Sequence, residues 1–357
     1  MTRPEPCCVA DYEARAAEVL DAGPLGYYAG GAADERTLRD NIAAFARHQL
    51  LPRVLVDVSA VSAATSVLGT PVDFPVLVAP VALQKMAHRD GEAGMARAAA
   101  AAGTIMTLST IATSTPAEVA DAAPDAPRWF QVYCFRDEHV TRHLVDQAID
   151  RGFRALAVTV DAPRAGRRER DLRTGFAVPE GIDMPAVTAA VGETAGITPQ
   201  GFFSLVDASL TWPAFERLAR ESPIPVLVKG VHHPADARLA VEHGAAGVIV
   251  SNHGGRQLDG VPAAIDMLEP VVQELAGDAE VLMDGGVRRG TDVLTALALG
   301  ARAVLVGRPA LWGLAAGGEA GARHVLELLK AEVELGLLLL GAPTPGHVSR
   351  EHLAPRR

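Results

Sequence analysis

The chain is poor in cysteine. Three cysteines in 357 residues, two of them adjacent (Cys7, Cys8) and one distant (Cys134), cannot build a disulfide framework and lack the paired spacing of a zinc site. No metal site is expected, and a reduced cytoplasmic protein is the plain reading. Aromatic residues supply only 4%, and long polar low-complexity tracts are absent, which excludes a disordered or fibrous chain. Basic residues are in deficit, 33 against 43 acidic, for a net charge of −10. Such a balance suits neither nucleic acid nor an anionic membrane, although a single basic pocket can still sit inside it. Long apolar runs are missing too. Arg97 interrupts the Ala-rich stretch and residues 337–340 are too few, so nothing reaches the ~18 residues of a membrane span. Residues 1–11 lack the apolar centre of a signal peptide, and the last three residues match no peroxisomal or retention tripeptide.

What the chain does have is apolar content, 49%, arranged in short runs. Residues 76–80, 104–108, 128–133, 156–160, 226–229, 248–251, 281–284 and 304–306 are rich in β-branched side chains. They are continuous rather than alternating and too short for helices, the pattern of parallel strands buried on both faces. Between most of them lie amphipathic segments, at 90–102, 137–151, 234–243, 262–275 and 291–299. Ser114-Thr115-Pro116 precedes Glu118, Pro234 and Pro262 stand near helix starts, and Gly103, Gly152, Gly244 and Gly300 follow helix ends. Eight strand–helix units predict an α/β fold, a (β/α)8 TIM barrel, rather than an open sheet. No Gly-rich dinucleotide turn follows the first strand, where Val81-Ala82-Leu83 stands instead. A barrel takes ~250 residues. The surplus falls in residues 1–70, read as an N-terminal cap, and in the long loop after strand 4, within 161–225, read as a lid. Residues 1–357 are thus expected to form a single domain.

Barrel enzymes work at the ends of their strands. In order, those ends carry Pro80, Val81 and Ala82, then Ser109, Gln131 with Tyr133, Thr159 with Asp161, Lys229, Ser251 through Arg256, Asp284 with Gly286 and Arg288, and Gly307 with Arg308. Glycines and arginines after strands seven and eight mark a phosphate site, with free backbone N–H groups facing the anion. His253 and Arg256 combine a base that titrates near neutrality with a planar donor fork suited to a carboxylate. Lys229 closes an otherwise apolar strand and needs either an anionic partner or a catalytic role, a Schiff base among the alternatives.

These residues resemble the FMN-dependent 2-hydroxy-acid oxidases and dehydrogenases, the group of glycolate oxidase, lactate oxidase and mandelate dehydrogenase. The resemblance runs from Tyr27-Tyr28-Ala29-Gly30-Gly31-Ala32 through Ala79-Pro80, Gln84-Lys85-Met86, Leu108-Ser109, Trp129-Phe130-Gln131-Val132-Tyr133, Thr159-Val160-Asp161-Ala162-Pro163 and Ser251 to Gly260, ending at Gly307-Arg308-Pro309. It implies FMN resting on Pro80, Val81 and Ala82, its ring edge bonded by Ser109, Gln131 and Thr159. Lys229 would stabilise negative charge on the reduced ring, Ser251 would touch the ribityl chain, and Asp284, Gly286, Arg288, Gly307 and Arg308 would hold the phosphate. Arg168, Arg256 and Tyr27 would bind a substrate carboxylate and Tyr133 the hydroxyl. His253 would be the base, paired with Asp161, taking either the hydroxyl proton as hydride leaves or the α-hydrogen to give a carbanion.

Two positions refine this. Ile111 stands where glycolate oxidases carry Trp, which widens the pocket toward a larger, mandelate-like (S)-2-hydroxy acid. Ala82 stands where oxidases of the family often carry Ala and some dehydrogenases Gly, which favours O2 as acceptor with H2O2 as product. A dehydrogenase serving a quinone or protein acceptor, and a flavin-binding barrel without catalysis, are the alternatives. The family also implies a homo-oligomer, a tetramer or octamer.

Overall fold

The computed structural model describes residues 5–192 and 197–355; residues 1–4, 193–196 and 356–357, which include the amino end and the last two residues of the C-terminal tripeptide, lie outside the described part. Eight parallel strands close into a barrel: Val76–Val78, Met106–Leu108, Arg128–Val132, Ala155–Thr159, Val226–Val231, Gly247–Val250, Glu280–Asp284 and Ala303–Val306. Each pairs with its sequence neighbour, and the last pairs with the first, Leu305 opposite Leu77. All eight runs expected from the sequence are strands of this barrel, shifted by a residue or two at their ends.

Side chains on a strand alternate between faces, and here the alternation builds two cores. Leu77, Ile105, Trp129, Ala157, Leu227, Ile249, Leu282 and Leu305 point inward and fill the barrel. Val76, Phe130, Val132, Val158, Val228 and Val304 point outward into the larger layer beneath the helices. One pleat beyond the inward apolar layer, two residues on along six of the eight strands, come Gln131, Thr159, Lys229, Ser251, Asp284 and Gly307. The rim is therefore polar because the filled layer ends there.

The sequence reading missed several elements. An antiparallel hairpin, Thr65–Val67 with Thr70–Val72, adds Val67 and Val72 to the barrel's inner core. Its strands have only three residues each, too short to show a period. Its turn puts both Leu68 and Gly69 at positive φ, +45 and +72, as a two-residue hairpin turn of type I′ requires. The segment after the fourth strand is not one loop. It contains the helices Glu169–Thr174, Pro185–Val191 and Pro199–Phe203, and its end is a barrel helix, Trp212–Glu221. Residues 308–340 form a long C-terminal helix, Arg308–Leu340, broken at Gly317 and Gly318, where the backbone leaves helical values. Among the described residues no helix is long and apolar enough to cross a membrane.

The N-terminal region is three helices, Val9–Val19, Ala22–Ala29 and Arg36–Ala43, followed by a short 3-10 turn. At the first of them Cys7, Cys8 and Asp11 cluster, with Asp11 Oδ2 accepting the backbone N–H of both cysteines as a cap. That first helix packs on the C-terminal helix, where Tyr12 Oη meets His324 Nδ1 at 2.8 Å. The third docks on the loop after the sixth barrel strand through a reciprocal amide pair. Asn41 Nδ2 donates to Asn252 Oδ1 and Asn252 Nδ2 to Asn41 Oδ1, both at 2.8 Å, and both side chains are buried. Asn41 Oδ1 also accepts Ala264 N–H. Replacing Asn41 with Ala takes one partner from each side of the Asn252 amide, which keeps Pro262 O and the Gly255 N–H, and leaves the buried Ala264 N–H without its acceptor. Urea unfolding should show a loss of ~1–3 kcal/mol, the cost of unpaired buried polar groups. A loss below ~0.5 kcal/mol would mean that this pair does not secure the cap.

Candidate active site

One cavity opens at the carboxyl ends of the strands, and it gathers nearly every residue singled out from the sequence. Tyr27, Pro80, Val81, Ala82, Ser109, Gln131, Tyr133, Thr159, Arg168, Lys229, His253, Arg256, Asp284, Gly286, Arg288, Gly307 and Arg308 line it. Asp161 and Ser251 stand directly behind the lining, bonded to His253 and Lys229. The cap contributes Tyr27 from the end of its second helix, and the lid contributes Arg168 from the start of the first lid helix.

His253 lies at φ +58, the left-handed region, between Asn252 and two glycines that are also left-handed. Ser251 Oγ accepts its N–H at 3.0 Å. Its Nδ1 meets Asp161 Oδ1 at 3.0 Å. Such a carboxylate contact assigns the proton to Nδ1 and leaves the Nε2 lone pair toward the cavity. Nε2 faces the Tyr133 hydroxyl at 3.5 Å. Burial lowers the His253 pKa, and the neighbouring Asp161 only partly opposes this, so the ring is neutral at pH 7. Burial acts the other way on Asp161 but is outweighed by His253 and Lys229, and its carboxyl is held below the ordinary value. Burial pushes the Tyr133 phenol well up, so it stays protonated.

Lys229 is buried and bonded twice, to Asp284 Oδ2 at 2.9 Å and to Ser251 Oγ at 3.0 Å. Burial would lower its pKa, yet Asp284 and Asp161 outweigh burial and raise it. A permanently charged ammonium is a poor Schiff-base nucleophile, and a fixed positive charge at the cavity floor is what remains. Beside it Ser109, Gln131 and Thr159 form one hydrogen-bonded row. Ser109 Oγ donates to Gln131 Oε1 at 3.2 Å, and Gln131 Nε2 donates to Thr159 Oγ1 at 3.0 Å.

The four arginines outnumber the carboxylates beside them, Asp171 near Arg168 and Arg256 and Glu13 near Arg288 and Arg308. Arg168 and Arg256 both sit over the Tyr27 ring, 5.9 and 4.9 Å from its centroid. Tyr27 in turn stacks on Phe176 of the lid at 4.7 Å. Arg256 Nη1 donates to the carbonyls of Tyr27 and Gly30. Burial, then the repulsion of Arg256, brings Arg168 down to about 10. Arg308 donates Nε to Tyr28 O, Nη1 to Gly254 O and Nη2 to Gly30 O. A guanidinium has five N–H groups, so two remain. Burial, then Arg256 and Arg288, pull its pKa well down. Burial lowers Arg288 also, against the opposing pull of Glu13 and Asp292; its Nε lies 3.9 Å from Glu13 Oε2 and makes no hydrogen bond among the described residues. Buried cations that face one another this way favour an anion between them.

Asp284 departs from the sequence reading, which grouped it with the phosphate ligands. A carboxylate repels phosphate, and one oxygen is already paired with Lys229. Its buried Oδ1 has no hydrogen-bond partner among the described residues and can still accept one. The reading also missed the apolar wall. Phe176, Val178, Met184, Ile197, Phe202 and Phe203 all reach the cavity from the lid, with Phe203 edge-on to Tyr133 at 5.3 Å. Nothing in the sequence marked them, because an aromatic pair in an irregular segment carries no period.

A closed parallel barrel with a buried acid–base dyad, a fixed ammonium and four converging arginines defines a barrel enzyme for anionic ligands. The sequence profile of the FMN-dependent dehydrogenases matches residues 16–355. Glycolate oxidase 3 of Arabidopsis thaliana is 49% identical over 350 residues, spanning 97% of this chain and 95% of the relative. 2-Hydroxyacid oxidase 1 of Homo sapiens is 46% identical over 349 residues, 95% of this chain and 94% of the relative. A solved mandelate oxidase with (S)-4-hydroxymandelic acid superimposes with a TM-score of 0.91 at 41% identity, covering 98% of each chain. The chain belongs to the FMN-dependent dehydrogenase family.

The dyad yields a direct measurement. The lowered His253 pKa comes from burial and is opposed by Asp161, so the ligand-free ring should titrate below 6.5 by NMR. Asp161→Asn removes the opposing charge and should move the midpoint lower still. A midpoint at or above 6.5 in the parent protein would contradict a neutral base.

Proposed function

We propose that this protein oxidises an (S)-2-hydroxy acid to the 2-oxo acid on bound FMN, with O2 as the electron acceptor and H2O2 as the product. The observation that carries it is the His253–Asp161 dyad facing a cavity lined at two places by a pair of arginines. Arg168 and Arg256 over Tyr27 suit a carboxylate, and Arg288 and Arg308 after the last two strands suit a phosphate.

The residues present fit FMN. Ser109, Gln131 and Thr159 offer a donor–acceptor row for a ring edge, with Pro80, Val81 and Ala82 as the surface below it. The free Oδ1 of Asp284 would accept a ribityl hydroxyl, with Ser251 behind it. Gly286, Gly307, Arg288 and Arg308 would take the phosphate, two of them leaving backbone N–H groups open. FMN, when bound, would supply the acceptor for the two electrons that the substrate loses, with O2 as their final acceptor. The protein does the rest. Arg168 and Arg256 orient the carboxylate, Tyr133 Oη holds the substrate oxygen, and Nε2 of His253 accepts the proton that the substrate loses. Asp161 then stabilises the imidazolium. Lys229, charged and buried, stabilises negative charge arriving beside it.

His253→Ala should therefore keep FMN bound and yellow. Anaerobic reduction by the substrate should fall by more than ~10²-fold, the scale of a positioned general base; an unchanged rate would refute the assignment. With the parent enzyme, rapid reoxidation in air with one peroxide per turnover supports the oxidase. Slow reoxidation alongside rapid dye reduction would place it with the dehydrogenases that use a quinone or protein acceptor. Loss of reduction by every 2-hydroxy acid would leave a flavin-binding barrel without catalysis.

The substrate we read as larger than glycolate, mandelate-like. Ile111 and the lid residues Phe176, Phe202 and Phe203 give its side chain an apolar seat. Ile111→Trp should cut kcat/KM for mandelate at least ~10-fold while sparing glycolate, since a filled pocket excludes by sterics. Equal losses for both acids would show that Ile111 does not bound the side-chain pocket. We place the enzyme in the cytoplasm as a homo-oligomer, a tetramer or octamer. Exposed Val54, Leu55 and Leu339 supply apolar surface that another copy would cover. We read residues 1–357 as one domain, since cap, lid and barrel all contribute side chains to one cavity.

A further inference from the structure

Glu92 has no place in the chemistry above, yet it is fully buried, near the start of the helix Gly91–Ala101. Among the described residues no lysine or arginine pairs with it. A lone buried carboxylate is costly unless its lone pairs are filled, and here four donors fill them. Oε1 accepts the backbone N–H of Gln84 at 3.0 Å and of Thr113 at 2.8 Å. Oε2 accepts the hydroxyls of Thr113 at 2.5 Å and Ser114 at 3.2 Å.

The donors come from two different loops. Gln84 follows the first barrel strand, and Thr113 and Ser114 follow the second. Each loop lines the cavity, the first with Pro80, Val81 and Ala82, the second with Ser109 and Ile111. Further bonds run from the same hub to those linings. The Gln84 side chain donates Nε2 to Val81 O at 3.3 Å, and Lys85 N–H donates to Thr113 Oγ1 at 3.1 Å. Leu83 N–H donates to Ile111 O at 2.9 Å, and Tyr28 Oη donates to Leu83 O at 2.5 Å. Leu83 sits at φ +57, a conformation that a leucine holds only when its surroundings impose it.

We propose that Glu92 is a positioning residue. It holds the first two rim loops at one spacing and thereby sets the floor under FMN and the wall made by Ile111, touching neither ligand. The inference rests on the FMN reading of the cavity.

The test compares FMN binding to FMN-free protein, followed by fluorescence quenching, in the parent, Glu92→Gln, Glu92→Leu and Thr113→Val, alongside urea midpoints and the visible spectrum of bound FMN. Glu92→Leu strands two buried backbone N–H groups and frees the loops. It should weaken FMN binding by about tenfold or more and shift the absorption bands, a loss typical of orphaned buried donors. Glu92→Gln keeps Oε1 for both backbone N–H groups and can turn its amide toward the two hydroxyls, which also accept. It should restore affinity to within about threefold of the parent. If Glu92→Leu lowers the urea midpoint but binds FMN with parental affinity and spectrum, Glu92 is a stability anchor only and the proposal fails. If Glu92→Leu does not fold, Thr113→Val, which keeps the Thr113 backbone bond, decides. Weakened binding with shifted bands supports the positioning role, and parental values overturn it. A parent that binds no FMN would instead remove the reading on which the proposal stands.

Discussion

A strand buried in a closed barrel can present its side chains only alternately, inward and outward, and this constraint places the chemistry. Trp129, Ala157, Leu227 and Leu282 fill the barrel; the next inward positions are Gln131, Thr159, Lys229 and Asp284. At that height the packed layer has ended and the cavity begins. A polar side chain there escapes the cost of burial in an apolar core and still lies out of bulk water. Shifting any of these strands by one residue would send its functional group outward into the helical layer. The site is thus an edge effect of core packing.

The low dielectric of that edge then sorts the ionisable groups by their partners. Lys229 keeps its charge because Asp284 and Asp161 stand beside it. His253 loses its charge because burial outweighs its one carboxylate. Arg168, Arg288 and Arg308 are pushed down by burial, which Asp171 beside the first and Glu13 beside the other two only partly oppose. A molecule carrying both a phosphate and hydrogen-bonding ring edges relieves part of this tension, and a carboxylate relieves the rest. Ligand binding and stability are therefore linked here, since anything that fills the cavity with anions stabilises the fold that made it.

The aromatic residues follow the same economy. They are scarce in the chain as a whole, yet Tyr27, Tyr28, Tyr133, Phe176, Phe202 and Phe203 all line the cavity. Tyr27 orients two guanidiniums with its face while stacking on Phe176, so cap and lid meet over the site through one ring. Glu92 does for the barrel side what Tyr27 does for the cover, tying neighbouring loops by a group that the sequence shows as an ordinary acidic residue in the first turn of a helix.

The sequence by itself determined the eight strands, since β-branched runs bounded by turn residues have few other uses. It also determined the identity of most rim residues, since a polar group closing an apolar strand stands out against its neighbours. Tertiary structure decided the rest. The three-residue hairpin strands and the short lid helices were illegible because they span too few residues to show a period. The break at Gly317 and Gly318 could have been an end. Asn41, Glu92, Phe202 and Phe203 acquired their parts only from what folding brings against them. Whether Asp284 meets a phosphate or an ammonium, and whether His253 is charged, depended on distances between residues far apart in the chain. A linear sequence carries the types of its charges, but their energies belong to the geometry that buries them.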